Sequence, residues 1–110
     1  MNITREKSGD FSILTLNGRI DTSTSPAFEE EIEKLFGEGE KNLIFDCSGL
    51  NYISSSGLRV FLIAQKRAIL LKGSLSLCCM QPAIREIFVI SGFDMIFKVF
   101  DSREEALGKE

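Results

Sequence analysis

The stretch D-C-S-G-L-N-Y-I-S-S-S-G, from Asp46 to Gly57, decides how this chain is organised. It follows an apolar run and leads into a segment with helical spacing, so it carries a buried strand through a turn onto the start of a helix. Backbone N–H groups at a helix start lack intrahelical partners, and the peptide dipoles leave roughly half a positive charge there. A serine in this place either caps the helix or carries a negatively charged group that the helix stabilises.

The flanking segments alternate between strand and helix patterns. Strands over residues 2–6 and 11–16 meet at Ser8-Gly9-Asp10, a turn-forming cluster typical of an antiparallel hairpin. A first helix begins among the hydroxyls from Thr22 to Ser25, has Pro26 in its first turn, and ends at Gly37. The later predicted elements are a strand at 42–47, a helix at 56–72, a strand at 74–79, a helix at 82–90, a strand at 96–100 and a short helix from Ser102 to about Leu107.

The order β-β-α-β-α-β-α-β-α predicts one α/β domain over residues 1–110, with a mixed sheet of four to five strands. The N-terminal hairpin is antiparallel, and the later strands are parallel and joined by right-handed helical crossovers. The uninterrupted apolar run Leu43 to Phe45 is typical of a central strand covered on both faces. Sites in such sheets lie beyond the carboxyl ends of the strands, so we expect the loops at 18–24 and 48–55 to bring Asp21 close to the serines.

The composition excludes several function classes. A formal net charge of -3 without a basic stripe gives no reason to expect a nucleic-acid partner. No apolar run approaches the roughly 20 residues that span a bilayer, and the start M-N-I-T-R-E-K lacks the features of a signal peptide. We therefore expect a cytoplasmic protein with no direct membrane insertion.

Catalytic and cofactor motifs are also missing from the sequence. The chain has no histidine, so neither a Ser-His-Asp triad nor a Cys-His pair can form. Neither G-x-x-x-x-G-K-[ST] nor G-x-G-x-x-G occurs. We expect no enzyme activity and no cofactor, and an enzyme or nucleotide-binding domain is the least favoured of the interpretations.

The three cysteines, Cys47, Cys78 and Cys79, lie in apolar segments where a thiol packs as a small hydrophobe. Their number is odd and they lack C-x-x-C spacing, so we expect no metal site. The adjacent pair should point to opposite faces of a strand, and a reducing compartment fits all three free thiols.

Four segments of the chain, taken together, resemble a known family. They are G-R-I-D-T-S, L-I-F-D-C-S-G-L, Y-I-S-S-S-G-L-R-V, and S-G-F-D-M-I-F ahead of D-S-R-E-E-A-L. In this order they are similar to a STAS domain of the bacterial anti-sigma factor antagonist group, over essentially the whole chain. The resemblance implies a partner-switching module. Such a module binds an anti-sigma factor that is also a serine kinase of the histidine-kinase-like ATPase type, and thereby frees a sigma factor; a PP2C-type phosphatase is the other implied partner.

Phosphorylation of a loop serine ends this binding in the family that the chain resembles. There the acceptor directly follows an aspartate and stands two positions before a glycine, which carries the role over to Ser55. Ser54 replaces the aspartate, so Ser54 and Ser56 remain alternative acceptors. Local sequence alone also allows pure helix capping, as in a STAS scaffold or adaptor subunit of a sensory or membrane-transport assembly that acts by shape.

A partner-binding surface is predicted around this serine. Its residues are Asp21, Thr22, Asp46, Tyr52, Ser54, Ser56, Gly57, Arg59, Ile63 and Lys66. For Asp21 and Asp46 the alternative is a structural carboxylate that accepts backbone N–H bonds in a turn.

The helix after the serines has two stripes at 100° per residue. The predicted core stripe is Phe61, Ala64, Ala68 and Leu71, and the opposite stripe is Arg59, Ile63, Lys66 and Leu70. The second stripe is either a partner-facing patch that adjoins the loop or a surface that neighbouring elements cover.

Overall fold

The computed structural model describes residues 1–108 and contains one mixed sheet. The strands are β1 (Asn2–Ser8), β2 (Phe11–Ile20), β3 (Asn42–Ile53), β4 (Ser74–Cys78) and β5 (Lys98–Phe100). The helices are α1 (Ser25–Gly37), α2 (Ser55–Leu70), α3 (Pro82–Ile90) and α4 (Arg103–Ala106), with a 3-10 turn at Phe93–Met95. Within residues 1–108, none of the helices combines the length and apolar character needed to cross a bilayer.

The predicted α/β architecture and element order are confirmed. The spatial order of the strands is the same as their order in the chain, from β1 to β5. β1 pairs antiparallel with β2, and the three other neighbouring pairs are parallel. The 3-10 turn was not predicted, and it shortens the last strand to Lys98–Phe100.

The second and third strands are longer than predicted. β3 continues to Ile53 and pairs with the extension of β2, so that Arg19 lies opposite Tyr52 and Ile20 opposite Ile53. The predicted loop at 48–55 is therefore wrong, because most of it is hydrogen-bonded strand. Only Ser54 separates β3 from α2, which means that the start of α2 is fixed by the sheet.

Aromatic side chains from three elements hold α1 and α2 on one face of the sheet. Phe28 of α1, Phe45 of β3 and Phe61 of α2 are fully buried, and their ring centroids lie 5.1 to 5.6 Å apart with edge-to-face geometry. On the other face, Ile44 and Cys78 pack against Ala106 of α4. β3 is therefore a central strand covered on both faces, as predicted.

One member of the predicted core stripe of α2 lies outside the core. Phe61, Ala64 and Ala68 are fully buried, as expected. Leu71 is 41% exposed because α2 ends at Leu70, so helical spacing no longer applies to the next residue.

The adjacent cysteines also depart from the prediction. Cys79 has a φ of +65°, so it leaves the extended conformation in which neighbouring side chains alternate between faces. As a result, the two sulfur atoms and a carboxylate oxygen of Asp46 all lie within 4.8 Å of one another. Both thiols are free, and burial raises the pKa of each.

Candidate functional site

The three serines at the start of α2 have three different environments. Ser54 is the N-cap residue, and its Oγ accepts a hydrogen bond of 3.3 Å from the N–H of Gly57. Ser56 Oγ lies 2.8 Å from Ser54 Oγ and 3.1 Å from Ser25 Oγ at the start of α1. Ser55 is exposed, and its hydroxyl makes no hydrogen bond with any residue from 1 to 108. It is the one hydroxyl of the three without a hydrogen-bond partner among these residues.

The turn at Asp21 lies next to these serines, as the sequence predicted. Ser25 Oγ donates to the main-chain oxygen of Asp21 at 2.7 Å, and the N–H of Ser54 donates to the main-chain oxygen of Ile20 at 2.8 Å. A continuous set of hydrogen bonds therefore runs from Asp21 through Ser25 and Ser56 to Ser54. This set joins the ends of β2 and β3 to the starts of α1 and α2.

Asp21 also has the structural role that was its alternative interpretation. Its carboxylate accepts hydrogen bonds from the N–H and the hydroxyl of Ser23, at 3.0 and 2.7 Å, and from the N–H of Thr24. The hydroxyl of Ser23, followed by the backbone N–H donors, holds the pKa of Asp21 below its ordinary value. Thr24, the N-cap residue of α1, makes no side-chain cap, and its Oγ1 donates to the main-chain oxygen of Arg19 instead.

Gly57 is buried where α2 crosses the ends of two strands. A Cβ atom at this position would lie 2.6 Å from Ile20 Cγ2 and 2.8 Å from Ile53 Cγ1. Glycine therefore permits α2 to approach the sheet closely. Its place in the site is beneath the serines and not on the surface that a partner would touch.

Tyr52 and Arg19 form an exposed pair beside the serines. The Arg19 guanidinium lies 4.1 Å from the centroid of the Tyr52 ring, and Arg19 Nε is 3.9 Å from an Asp21 carboxylate oxygen. Sequence reasoning selected Tyr52 and missed Arg19. The predicted strand ended at residue 16, whereas β2 continues to Ile20 and places Arg19 opposite Tyr52.

The remaining predicted residues differ in their access to solvent. Thr22, Arg59 and Lys66 are exposed, and Ile63 is half-buried. Arg59 makes a 3.6 Å salt bridge to Glu29 of α1. Leu70 lies at the other end of α2, about 22 Å from Ser55 at a rise of 1.5 Å per residue, so the predicted patch adjoining the loop does not include it.

The model of the STAS domain family matches residues 2–106. This chain belongs to the STAS domain family. The match covers all five strands and the four helices, and it confirms the family resemblance found in the sequence.

Relatives of this STAS domain are named as anti-sigma factor antagonists. BtrV of Bordetella bronchiseptica, whose provisional name assigns it to that class, is 39% identical over 106 residues, or 96% of this chain and 91% of BtrV. The anti-sigma-F factor antagonist RsfB of Mycobacterium tuberculosis is 26% identical over 96 residues, or 87% of this chain and 78% of RsfB. The chain therefore belongs to the anti-sigma factor antagonist group of STAS domains.

Solved structures show the same fold. The unphosphorylated form of the anti-sigma factor antagonist SpoIIAA, a Bacillus protein, matches with a TM-score of 0.82 at 20% identity, over 96% of this chain and 93% of SpoIIAA. A structure from Thermotoga maritima, provisionally titled an anti-sigma factor antagonist, matches with a TM-score of 0.92 at 19% identity, over 96% and 92%.

Asp46 lies elsewhere in this STAS domain, on the face that α4 covers. Its carboxylate is 2.6 Å from Arg103 Nε and accepts a 2.9 Å hydrogen bond from the N–H of Ser48. Only 5% of Asp46 is exposed. Seven further residues of β3, from 47 to 53, separate it from Ser54. Asp46 therefore does not border Ser55, and the turn-carboxylate interpretation describes it better.

Arg103 was missed by the sequence reasoning. Besides Asp46, its guanidinium donates to Glu6 and to Thr15 Oγ1, each at 2.8 Å. Burial raises the pKa of Asp46, but the hydrogen bonds from Arg103 and Ser48 outweigh that effect and leave it below its ordinary value. The network ties α4 to β1, β2 and β3, and its role is structural.

Proposed function

We propose that this STAS domain is an anti-sigma factor antagonist whose contact with an anti-sigma factor centres on Ser55 and ends when Ser55 is phosphorylated. The observation that carries the proposal is the contrast among the three serines. Ser54 and Ser56 are engaged in hydrogen bonds that hold the helix start, whereas Ser55 presents a free hydroxyl. The names of the relatives support an anti-sigma factor as the partner.

The helix start is suited to hold a phosphate without refolding. A phosphoserine adds about -1.5 to -2 charges and three acceptor oxygens. At Ser55 these oxygens would lie at the N-terminus of a 16-residue helix, where unpaired N–H groups and the helix dipole favour negative charge. The folded domain should therefore tolerate the modification, and its effect should fall on the interface.

The interface can respond strongly to this one change. If a partner covers Ser55 and removes its water, a phosphate there faces a desolvation cost and repulsion from acidic groups of the partner. A loss of about 4 kcal/mol of binding free energy weakens affinity roughly a thousandfold. A phosphate in a dry contact is sufficient for that.

The two alternative acceptors are less suitable. Phosphorylation of Ser54 would place the group on the oxygen that caps α2, and phosphorylation of Ser56 would disrupt its contact with Ser25. Either change would disturb the start of the helix. Ser55 is modified at no such cost to the fold.

The exposed residues around Ser55 form the rest of the proposed partner surface. Tyr52 and Arg19 offer an aromatic ring and a guanidinium, which are common among the residues that dominate binding energy at interfaces. Thr22, Arg59 and Lys66 extend the surface on either side. We retain Asp21 as a residue that shapes it.

The proposed partners supply the chemistry, and this domain supplies the substrate hydroxyl. The anti-sigma factor is proposed to be a kinase of the histidine-kinase-like ATPase type, and a PP2C-type phosphatase to remove the phosphate. The domain itself has no histidine to act as a general base, and we propose no enzyme activity for it. The exchange would take place in the cytoplasm, where sigma factors act.

The test uses the anti-sigma kinase candidate of the same organism. Incubation with that kinase and ATP should add the mass of one phosphate, and Ser55→Ala should abolish the addition while Ser56→Ala keeps it. Calorimetric titration should show that Ser55→Ala still binds the kinase and that Ser55→Glu binds it much more weakly. An unchanged mass, or a phosphate that persists in Ser55→Ala, would contradict the proposal. If both variants bind equally well, the scaffold interpretation is favoured.

A further inference from the structure

A groove lies at the end of the domain opposite Ser55. It has a volume of about 190 Å³ and lies between the last turns of α2 and the starts of β4 and β5. Its walls include Gln65, Ile69, Leu75, Ile96 and Lys98. The side-chain amide of Gln65 donates a 2.8 Å hydrogen bond to the main-chain oxygen of Ile96, which fixes the two sides relative to each other. We call this feature the distal groove.

The rim of the distal groove is unusually apolar for a surface. Ile69, a large aliphatic residue of α2, is 63% exposed. Ile96, on the other wall, is 48% exposed. Their sequence neighbours Leu70 and Met95 are 78% and 87% exposed. Exposed apolar residues that cluster in this way are typical of a contact surface.

Positive charge accompanies this apolar rim. Lys41, Lys72 and Lys98 precede or begin the neighbouring strands β3, β4 and β5, and all three are exposed. Lys41 reaches the groove through its main-chain oxygen, which accepts a hydrogen bond from the N–H of Ser74 in the groove wall. None of the three lysines forms a salt bridge within residues 1–108, and the groove lining over that range contains no carboxylate.

The local charge contrasts with the rest of the molecule. The chain has a net charge of -3, and the cations on the adjoining side of the sheet are neutralised: Arg5 pairs with Glu38 and Lys7 with Glu40. Lys41, Lys72 and Lys98 thus stand beside the apolar groove without a carboxylate partner among residues 1–108. Complementarity calls for a partner that brings apolar side chains together with carboxylates.

We propose that the distal groove docks an amphipathic segment of a partner protein that carries apolar side chains flanked by acidic ones. At a rise of 1.5 Å per residue, the two α2 residues in the groove wall, Gln65 and Ile69, lie about 15 and 21 Å along the helix from Ser55. A segment bound there does not cover Ser55 and is not repelled by a phosphate on it. The groove is thus a second docking site, independent of the phosphorylation-controlled surface.

The test is a fluorescence anisotropy titration with a labelled synthetic amphipathic peptide, leucine on one face and glutamate on the other. The folded protein should bind it, and Ile69→Asp and Lys98→Glu should each weaken binding by about tenfold or more. The matched controls are Val89→Asp, at an apolar position of α3 that is 52% exposed and lies outside the groove lining, and Ser55→Glu. Both should bind as the unmodified protein does.

Several outcomes would overturn the proposal. Failure of the glutamate peptide to bind is one, and equal binding of the same peptide with lysine in place of glutamate is another. Binding that Ile69→Asp leaves unchanged would place the contact elsewhere. Stronger attachment to phosphatidylcholine vesicles containing phosphatidylglycerol would identify a lipid surface, and a dimer in sedimentation equilibrium that Ile69→Asp disrupts would identify a second copy of the chain. None of these outcomes bears on Ser55, so the proposed function is tested separately.

Discussion

Ser56 Oγ lies 3.1 Å from Ser25 Oγ, although 31 positions separate the two residues in the chain. The contact joins the first turns of α1 and α2 directly above the ends of β2 and β3. Because Ser25 in turn donates to the main-chain oxygen of Asp21, the start of α2 is fixed from two sides. Ser55, one residue earlier, takes no part in this arrangement.

We predict that alanine substitutions separate these roles by stability. Ser56→Ala and Ser25→Ala should each lower the free energy of unfolding by about 0.5–1.5 kcal/mol, the net value of an intramolecular hydrogen bond. The double variant should lose less than the sum, since the two side chains share one contact. Urea denaturation followed by circular dichroism measures all three. Ser55→Ala is the matched control, and a loss of stability there equal to that of Ser56→Ala would contradict the assignment.

A second prediction concerns the cap of α2. Ser54→Ala removes the acceptor of the Gly57 N–H and should cost about 0.5–2 kcal/mol of stability. Ser54→Asp should retain the cap, because a carboxylate accepts the same bond and is favoured by the helix dipole. Thermal and urea unfolding of both variants provide the comparison. Equal destabilisation by alanine and aspartate would show that the hydroxyl network, and not the cap, is what matters at this position.

A third prediction follows from the close approach at Gly57. Gly57→Ala should destabilise the domain by about 1–3 kcal/mol, because the new Cβ would lie 2.6 Å from Ile20 Cγ2 in a well-packed region. Gly37→Ala at the end of α1 is the control, since a Cβ there meets nothing within 4 Å. The control variant should be neutral or slightly more stable. A Gly57→Ala protein as stable as Gly37→Ala would show that α2 can shift away from the strands without loss.

The exposed pair beside the serines gives a fourth prediction, which rests on the proposed function. Tyr52→Ala should weaken binding of the anti-sigma factor by at least about 1 kcal/mol, while leaving the stability of the isolated domain nearly unchanged. Arg19→Ala should act in the same direction, because the guanidinium stacks on the ring. Calorimetric titration measures the affinity. Lys34→Ala on α1, exposed and away from Ser55, is the control, and equal effects of all three variants would contradict a local contact surface.

Much of the fold could be predicted because its signals are local. Pro26 and Gly37 mark the first helix, and the apolar run from Leu43 to Phe45 marks the central strand; the structure has both where they were expected. The start of α2 at the serines was located correctly for the same reason, since a hydroxyl cluster before a helical pattern is a capping signal. The predicted proximity of Asp21 to the serines needed only the rule that parallel strands end at one edge.

What the sequence could not predict depends on contacts between distant segments. β3 extends to Ile53 because β2 pairs with it, and Gly49 and Asn51 give no local sign of this. The place of Asp46 is set by Arg103, 57 positions later, a separation that no spacing rule covers. Cys79 left the strand through a positive φ, which is uncommon for a residue other than glycine and therefore was not expected.

The pair of Asp46 and Arg103 supports a final prediction about pH. The hydrogen bonds to Asp46 outweigh its burial and hold its pKa below the ordinary value, so its carboxylate stabilises the folded state above about pH 4. That contribution should disappear as the pH falls from about 4 through the lowered pKa, because the folded protein must then bind a proton that the unfolded chain already holds. Asp46→Asn should cost about 1–3 kcal/mol near neutral pH, less than a fully buried pair, since Arg103 is partly exposed and keeps Glu6 and Thr15.

The measurement is urea denaturation of the unmodified protein and of Asp46→Asn at several pH values from about 7 down to about 3. The difference in stability between them should be constant at the upper end and shrink at the lower end. Asp101→Asn is the matched control, because Asp101 is exposed and its carboxylate lies 3.9 Å from Arg85 Nη1. If the difference in stability between Asp46→Asn and the unmodified protein stays the same across this pH range, the prediction is contradicted. The variant would then act by disturbing the packing of α4 on β3, and not by removing a charge.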